Sequence, residues 1–142
     1  MYRVNINIYE SSNNDKDRKS ILVNEKPVYL SVGMYMPIDE ELSYSLLIDA
    51  HYSKTKSETL TANVPELESF GPYIAINPDI KNKDIINKLK ELNIISDTIS
   101  TSSYNQKDYE IVKVNIEELK TYKPFGDTVL KDIKEKEQEI SY

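Results

Sequence analysis

The architecture of the chain is clearest in residues 73–95, which read YIAINPDIKNKDIINKLKELNII. The run opens with a short apolar strand pattern, YIAI, and the Asn-Pro-Asp sequence at 77–79 ends it. Apolar residues then recur with helical spacing, which predicts an amphipathic helix over about 83–93. Asn82 is expected to cap its first turn, and Asn93 is expected to stop it in the left-handed conformation. The stretch therefore predicts a buried strand, a turn, a helix and a return to the core.

The rest of the chain predicts short strands joined by polar turns. Alternating or continuous apolar residues predict strands at 2–9, 21–23, 28–36, 42–52, 59–64 and 109–115. The last of these is expected to be buried partly on both faces, and a polar loop is expected before it at 100–108. Asn115 then caps a single predicted helical turn at 116–121.

These elements predict an α+β fold with a mostly antiparallel sheet, a meander of about five to seven strands, and one principal helix packed on one face. The inner face of the sheet is predicted to include Val4, Ile6, Ile8, Val28, Leu30, Ile74, Ile76 and Ile111, covered by Ile85, Ile86, Leu89 and Leu92. Residues 1–126 are expected to form one domain, as the chain length suggests. Residues 127–142 are strongly charged with a thin apolar stripe, which predicts a C-terminal helix or flexible tail.

Composition excludes several classes of site. The chain has no cysteine, so disulfides, iron–sulfur clusters and thiolate zinc sites are excluded. It has only 3 glycines and neither G-x-G-x-x-G nor a P-loop, which argues against a glycine-loop phosphate site. Neither the acidic run at 39–41 nor the pair Asp15 and Asp17 has the ligand pattern of a calcium loop, so neither a metal nor a cofactor is expected. No segment resembles a signal peptide or a membrane span, which predicts a cytoplasmic protein without a membrane partner.

The negative charge is concentrated in the middle of the chain. Residues 27–80 contain 8 acidic and 2 basic residues, and the remainder contains 16 of each. An acidic field disfavours direct binding to nucleic acid and favours a basic protein surface as the partner. The 11 tyrosines are also typical of protein interfaces. The predicted partner-binding residues are Tyr35, Asp39, Glu40, Glu41, Tyr44, Glu66 and Glu68.

His51 is the only histidine, so any histidine-dependent catalysis would have to use it. Asp49 lies two residues before it on the same predicted strand and so shares its face. The nearby serines complete a formal triad: Ser43, Ser45 and Ser53. None of them lies in a strained nucleophile turn or beside oxyanion-hole glycines, so we expect no catalytic residue.

The order of elements between residues 59 and 119 resembles a known family. The elements that carry the resemblance are a strand ending at Pro65, the Tyr73-Ile74-Ala75-Ile76-Asn77 strand with its Asn-Pro-Asp turn, a helix closing on Leu92-Asn93, and a strand over 109–116. They are similar to an uncharacterised family of small proteins carried by bacterial mobile elements and phages. The resemblance implies a mobile-element origin and no defined catalytic residues.

The sequence therefore leads to a ranked set of functions. The first is a non-enzymatic, acidic protein-interaction module, such as a phage or mobile-element anti-defence protein resembling an anti-CRISPR inhibitor. Its partner would be a host protein with a basic surface, for example a defence nuclease, and no direct nucleic-acid binding is expected. The alternative is a small-molecule or nucleotide-binding protein that sequesters a ligand between sheet and helix. A hydrolase using His51 ranks third.

Overall fold

The computed structural model describes residues 2–3, 19–36, 46–64, 67 and 71–130, with only the backbone described for residues 2, 3, 35 and 36. Its elements, in chain order, are β1 (Tyr2–Arg3), β2 (Ile21–Val23), β3 (Lys26–Met36), β4 (Leu46–His51), β5 (Ser57–Thr59), β6 (Thr61–Ala62), β7 (Tyr73–Ile76), α1 (Asp84–Glu91), β8 (Ser100–Tyr104), β9 (Lys107–Lys113) and α2 (Ile116–Thr121). All pairs of named strands are antiparallel. The predicted α+β class is confirmed.

The strands are distributed over two sheets. The first sheet has the order β1-β3-β4-β5, and β2 also pairs with β3. The second has the order β6-β7-β9-β8. Gly33 pairs in regular register with Leu47, so β3 runs straight through this position without a bulge.

Leu60 joins the two sheets. Its amide donates to the carbonyl of Ile48 in the first sheet, with an N···O distance of 2.8 Å. Its own carbonyl accepts from the amide of Asn77, just after β7, at 2.9 Å. Residues 57–62 therefore leave one sheet and enter the other at a single residue, which is 1% exposed.

The main core lies between the sheets and α1. It contains Val28, Leu30, Ile74 and Ile76 from the predicted inner face and Ile85, Ile86 and Leu89 from the helix, with Leu92 packed at its margin. These positions confirm the predicted helix–sheet packing. Val4, Ile6 and Ile8 lie outside the described residues.

The prediction for Ile111 is wrong, because this residue faces away from the main core. It belongs to a second, smaller cluster with Val64, Leu67 and Ala75 on the other face of the second sheet. The neighbouring Val112 contributes to the main core instead. Since side chains alternate along a strand, β9 is buried on both faces, as the sequence predicts for this strand.

Local signals predict the ends of the helices with mixed success. Asn93 has φ of 62°, and Ile94 donates to the carbonyl of Leu89 at 2.9 Å, which is the predicted left-handed stop. The predicted cap by Asn82 is wrong, because α1 begins after Lys83 without a side-chain cap. Asn115 does cap α2, since its Oδ1 accepts from the amide of Glu118 at 3.2 Å.

The loop predicted at 100–108 is instead a hairpin formed by β8 and β9. Asn105 and Gln106 form its two-residue turn with φ of 51° and 66°, the geometry that matches strand twist. β8 reads STSSY and has no apolar alternation, so its sequence did not indicate a strand. At the other end of the chain, Leu130 is fully buried in the main core, so the core extends past residue 126.

Candidate functional site

Most of the predicted partner-binding side chains lie outside the described residues: Asp39, Glu40, Glu41, Tyr44, Glu66 and Glu68. Tyr35 is described as backbone only, in β3 opposite Arg3 of β1. The described residues nevertheless fix where the two acidic segments, 37–45 and 65–70, join the fold.

Both acidic segments join the fold beside the same end of β4. Residues 37–45 lead directly into Leu46, the first residue of β4. Pairing of β4 with residues 57–60 brings the following strand, β6, alongside the start of β4, where the amide of Ile48 donates to Oγ1 of Thr61 at 3.2 Å. The chain continues from β6 through Val64 into the second acidic segment.

The other acidic side chains of residues 27–80 have contacts with described parts of the fold. Asp49 is 8% exposed on β4. Asp79 forms an ion pair with Lys107 at 2.6 Å, which ties the turn after β7 to the β8–β9 hairpin. The hydrogen bond to Asp79 and its charge raise the pKa of Lys107.

Glu58 connects the first sheet to the loop before α1. Its Oε2 accepts from the amide of Lys81 at 2.6 Å, and its Oε1 accepts from the amide of Asn82 at 3.1 Å and from the hydroxyl of Tyr52 at 3.0 Å. Partial burial acts to raise the pKa of Glu58, but these hydrogen bonds outweigh it and hold that pKa below its ordinary value. Burial and the neighbouring Glu58 carboxylate raise the pKa of Tyr52.

The histidine has a serine partner that the sequence did not suggest. Ser31 Oγ lies 2.7 Å from His51 Nε2, and Ser31 is paired with Asp49 in the register of β3 and β4. Ser53, one of the predicted triad serines, instead accepts hydrogen bonds from the amides of Thr55 and Lys56 in the turn after β4. Ser43 and Ser45 lie outside the described residues.

Ser31 has a histidine neighbour, as a catalytic serine does, but it does not have the backbone geometry of one. A nucleophilic serine needs an exposed hydroxyl on a sharp turn and free amides beside it for the oxyanion. Ser31 is 5% exposed in the middle of a regular strand. The next amide, that of Val32, donates to the carbonyl of Phe125 at 2.8 Å. The Ser31–His51 contact therefore pairs two polar side chains on the first sheet, and the Ser31 hydroxyl and the Val32 amide lack the geometry of a nucleophile turn.

A groove of about 280 Å³ lies between α1 and the second sheet, and we call it the α1 groove. Its apolar lining comes from Ile76, Ile80 and Ile86. Its charged lining comes from Lys83 and Lys90 on the helix side and from Asp108 and Glu110 on β9.

The charged residues of the α1 groove were not singled out from the sequence, whereas Ile76 and Ile86 were predicted as core positions. The lysines bracket Ile86 and Asn87 in the spacing i, i+3, i+4, i+7, so one helix face forms one wall. Asp108 and Glu110 are two apart on β9 and therefore share a strand face. The helical spacing was visible in the sequence, but the opposing strand was predicted to be partly loop.

Comparison with protein-family models, with curated proteins and with solved structures finds no match for this chain. Within the described ranges, no group of three or more His, Cys, Asp or Glu side chains is arranged to hold a metal ion. No helix in the described part of the chain combines the length and apolar character needed to cross a membrane.

Proposed function

We propose that this protein is a non-enzymatic protein-interaction module that binds a basic surface of a partner protein. The observation that carries the proposal is that both acidic segments, 37–45 and 65–70, join the fold beside the same end of β4. Together these segments contain Asp39, Glu40, Glu41, Glu66 and Glu68. Acidic segments that join a fold at neighbouring points can add their fields and speed encounter with a basic surface.

The distribution of the remaining charges supports the proposal. Asp49 is buried, Glu58 accepts hydrogen bonds from backbone amides, and the exposed Asp79 is paired with Lys107, so each of these acidic groups already has a place or a partner in the fold. Lys54 and Lys56, the bases of residues 27–80, lie in the turn after β4, at the opposite end of that strand. A six-residue strand is about 20 Å long, roughly two Debye lengths at physiological salt, so these lysines are well separated from the points where the acidic segments join the fold.

The proposed partner is a nucleic-acid-handling host protein, such as a CRISPR effector or another defence nuclease. Proteins of this class present basic surfaces to the phosphate backbone, and an acidic protein can compete for them. The resemblance of residues 59–119 to proteins of mobile elements and phages supports an anti-defence role. In this proposal Tyr35 and Tyr44, which flank the acidic turn at 37–41, serve as interface anchors.

Affinity capture from bacterial lysate with a pair of charge variants tests this function. Glu40→Lys with Glu41→Lys reverses two charges in the first acidic segment, and Asp97→Lys with Asp127→Lys reverses two exposed charges elsewhere. We expect the wild type and the control to capture the same partner, and the first variant to lose it. Association with the purified partner should slow as salt rises for the wild type. Association that is indifferent to salt and to both variants would contradict the proposal.

A second candidate function is the binding and sequestration of a small molecule. The α1 groove favours it, because the groove lies between helix and sheet and combines apolar and charged lining. Amide chemical-shift mapping with small-ligand probes tests this function, and saturable changes confined to α1 and β9 are expected. Probes that leave these amides unchanged would contradict it.

A further inference from the structure

Opposite charges line the α1 groove without neutralising each other. Lys83 and Lys90 line the helix wall, and Asp108 and Glu110 line the strand wall. Among the residues that the structure describes, ion pairs join Lys88 to Glu91 and Lys107 to Asp79, and none joins the two walls. The groove therefore keeps a positive wall and a negative wall apart.

The carboxylates on the negative wall are held in place by hydroxyl donors. Ser103 Oγ donates to Oδ1 of Asp108 at 2.6 Å, and Thr98 Oγ1 donates to Oε1 of Glu110 at 2.6 Å. A carboxylate accepts about four hydrogen bonds through its two oxygens, so one hydroxyl leaves most of its capacity for a ligand. An ordered carboxylate binds an ammonium group with a smaller loss of side-chain entropy than a mobile one.

The size and floor of the groove limit what it can hold. Its volume of about 280 Å³ lies at the lower limit of ordinary ligand sites, which begin near 300 Å³, so it suits a ligand smaller than a nucleotide. Ile76, Ile80 and Ile86 provide contacts for an aliphatic group. Lys83 and Lys90 are seven residues apart, about 10 Å along the helix, so an anion between them meets positive charge from both sides.

We propose that the α1 groove binds a small zwitterionic amino acid with an aliphatic side chain. The ligand carboxylate faces Lys83 and Lys90, its ammonium group faces Asp108 and Glu110, and its side chain rests on the isoleucines. A ligand with both charges matches both walls, whereas a ligand with one charge leaves one wall uncompensated. The inference rests on the second candidate function and names the ligand class for that site.

Titration of the full chain with leucine, followed by amide chemical shifts, tests the inference. Two analogues each lack one charge: 3-methylbutylamine has no carboxylate, and 4-methylpentanoate has no ammonium group. We expect saturable shifts at amides of Ile86, Asn87 and Glu110 with leucine at millimolar concentrations, and binding at least about tenfold weaker with either analogue.

Matched variants locate the binding. Lys90→Ala and Glu110→Gln should each weaken leucine binding by about tenfold, as expected for loss of one charged contact. Lys88→Ala should leave it unchanged, because Lys88 is on the same helix but outside the groove lining. If a single-charge analogue binds in the groove as tightly as leucine, the zwitterion is overturned while small-molecule binding stands. If none of the three compounds shifts these amides, the amino-acid ligand is overturned, and the separate titration with small-ligand probes decides whether the groove binds another small molecule.

Discussion

Two regions of this molecule use polar side chains in opposite ways. At the surface of the first sheet, Ser31 and His51 contact each other at 2.7 Å and the serine is buried. In the α1 groove, Lys90 and Glu110 belong to opposing walls that form no ion pair with each other within the described part of the chain. The first region contains the residues that a search for catalysis selects, and the second contains residues that such a search ignores. Residue type alone is therefore a poor guide to whether a polar side chain has a structural role or could bind a ligand. Whether the side chain already has a partner within the fold is a better guide.

The largest expected effect comes from the apolar support of the groove. Leu89 lies on the buried face of α1 and is 2% exposed, and Leu89→Ala should lower the free energy of unfolding by about 2–5 kcal/mol through lost burial and a residual cavity. Urea denaturation measures it. Leu22→Ala is the control, because Leu22 is 59% exposed and its truncation should have little effect. An unchanged denaturation midpoint for Leu89→Ala would show that α1 is not packed in the core. The α1 groove, which needs that packing, would then not exist either.

The next effect tests whether the serine–histidine contact is structural. Ser31→Ala removes the hydroxyl and leaves the half-buried imidazole without this partner, which should cost about 1–2 kcal/mol of stability. Binding of the captured partner should be retained in this variant and in His51→Ala, because neither residue belongs to the proposed interface. Loss of binding in a folded variant would restore His51 as a functional residue.

A smaller effect should depend on pH through Glu58. Glu58→Gln weakens the acceptor for the amides of Lys81 and Asn82 and should cost about 1 kcal/mol at pH 7, since the carboxylate is partly solvent-screened. Because the folded pKa of Glu58 lies below its ordinary value of 4.5, its stabilisation is present above that value and is lost as pH falls through the folded pKa. Thermal midpoints of both proteins between neutral and acid pH should therefore converge at the acid end. A constant difference would show that the carboxylate charge contributes nothing.

The smallest effect on stability is expected in the groove itself. Lys90→Ala removes a charged side chain that has no ion partner among the described residues. The free energy of unfolding should therefore change by less than about 0.5 kcal/mol. Urea denaturation beside Lys88→Ala, which removes an ion pair with Glu91 at 3.6 Å, gives the comparison. A loss of several kcal/mol in Lys90→Ala would mean that the groove is a structural feature and would end the contrast between the two regions.

The local sequence pattern was sufficient to predict those elements whose signals lie within a few residues of each other. β7, α2 and the stop of α1 at Asn93 were predictable because apolar spacing, a capping amide and a left-handed asparagine act within one turn of chain. β8 was not predictable in this way, because its serines and threonines become a strand through pairing with β9. Ile111 was assigned to the wrong face because β9 has apolar residues on both sides.

The candidate sites depend on contacts between residues distant in sequence. Ser31 meets His51 only because β3 and β4 pair in one particular register, and a shift of one residue in either strand would place the two side chains on opposite faces of the sheet. The α1 groove requires β9 to pair with β7, which brings Glu110 beside α1 across the second sheet. Neither neighbourhood has a signature in the linear chain, whereas the acidic segments are visible in the sequence alone.

The hydrogen bonds of Leu60 have a consequence for how the protein opens. Its amide is paired with the first sheet and its carbonyl with the second, so neither sheet can separate from residues 57–62 without straining the attachment of the other. The two sheets should therefore exchange their protected amide hydrogens as one cooperative unit. The amides of Ile48, Leu60 and Asn77 should share one opening free energy, close to that of global unfolding. They should exchange more slowly than the amide of Asn105 in the exposed turn.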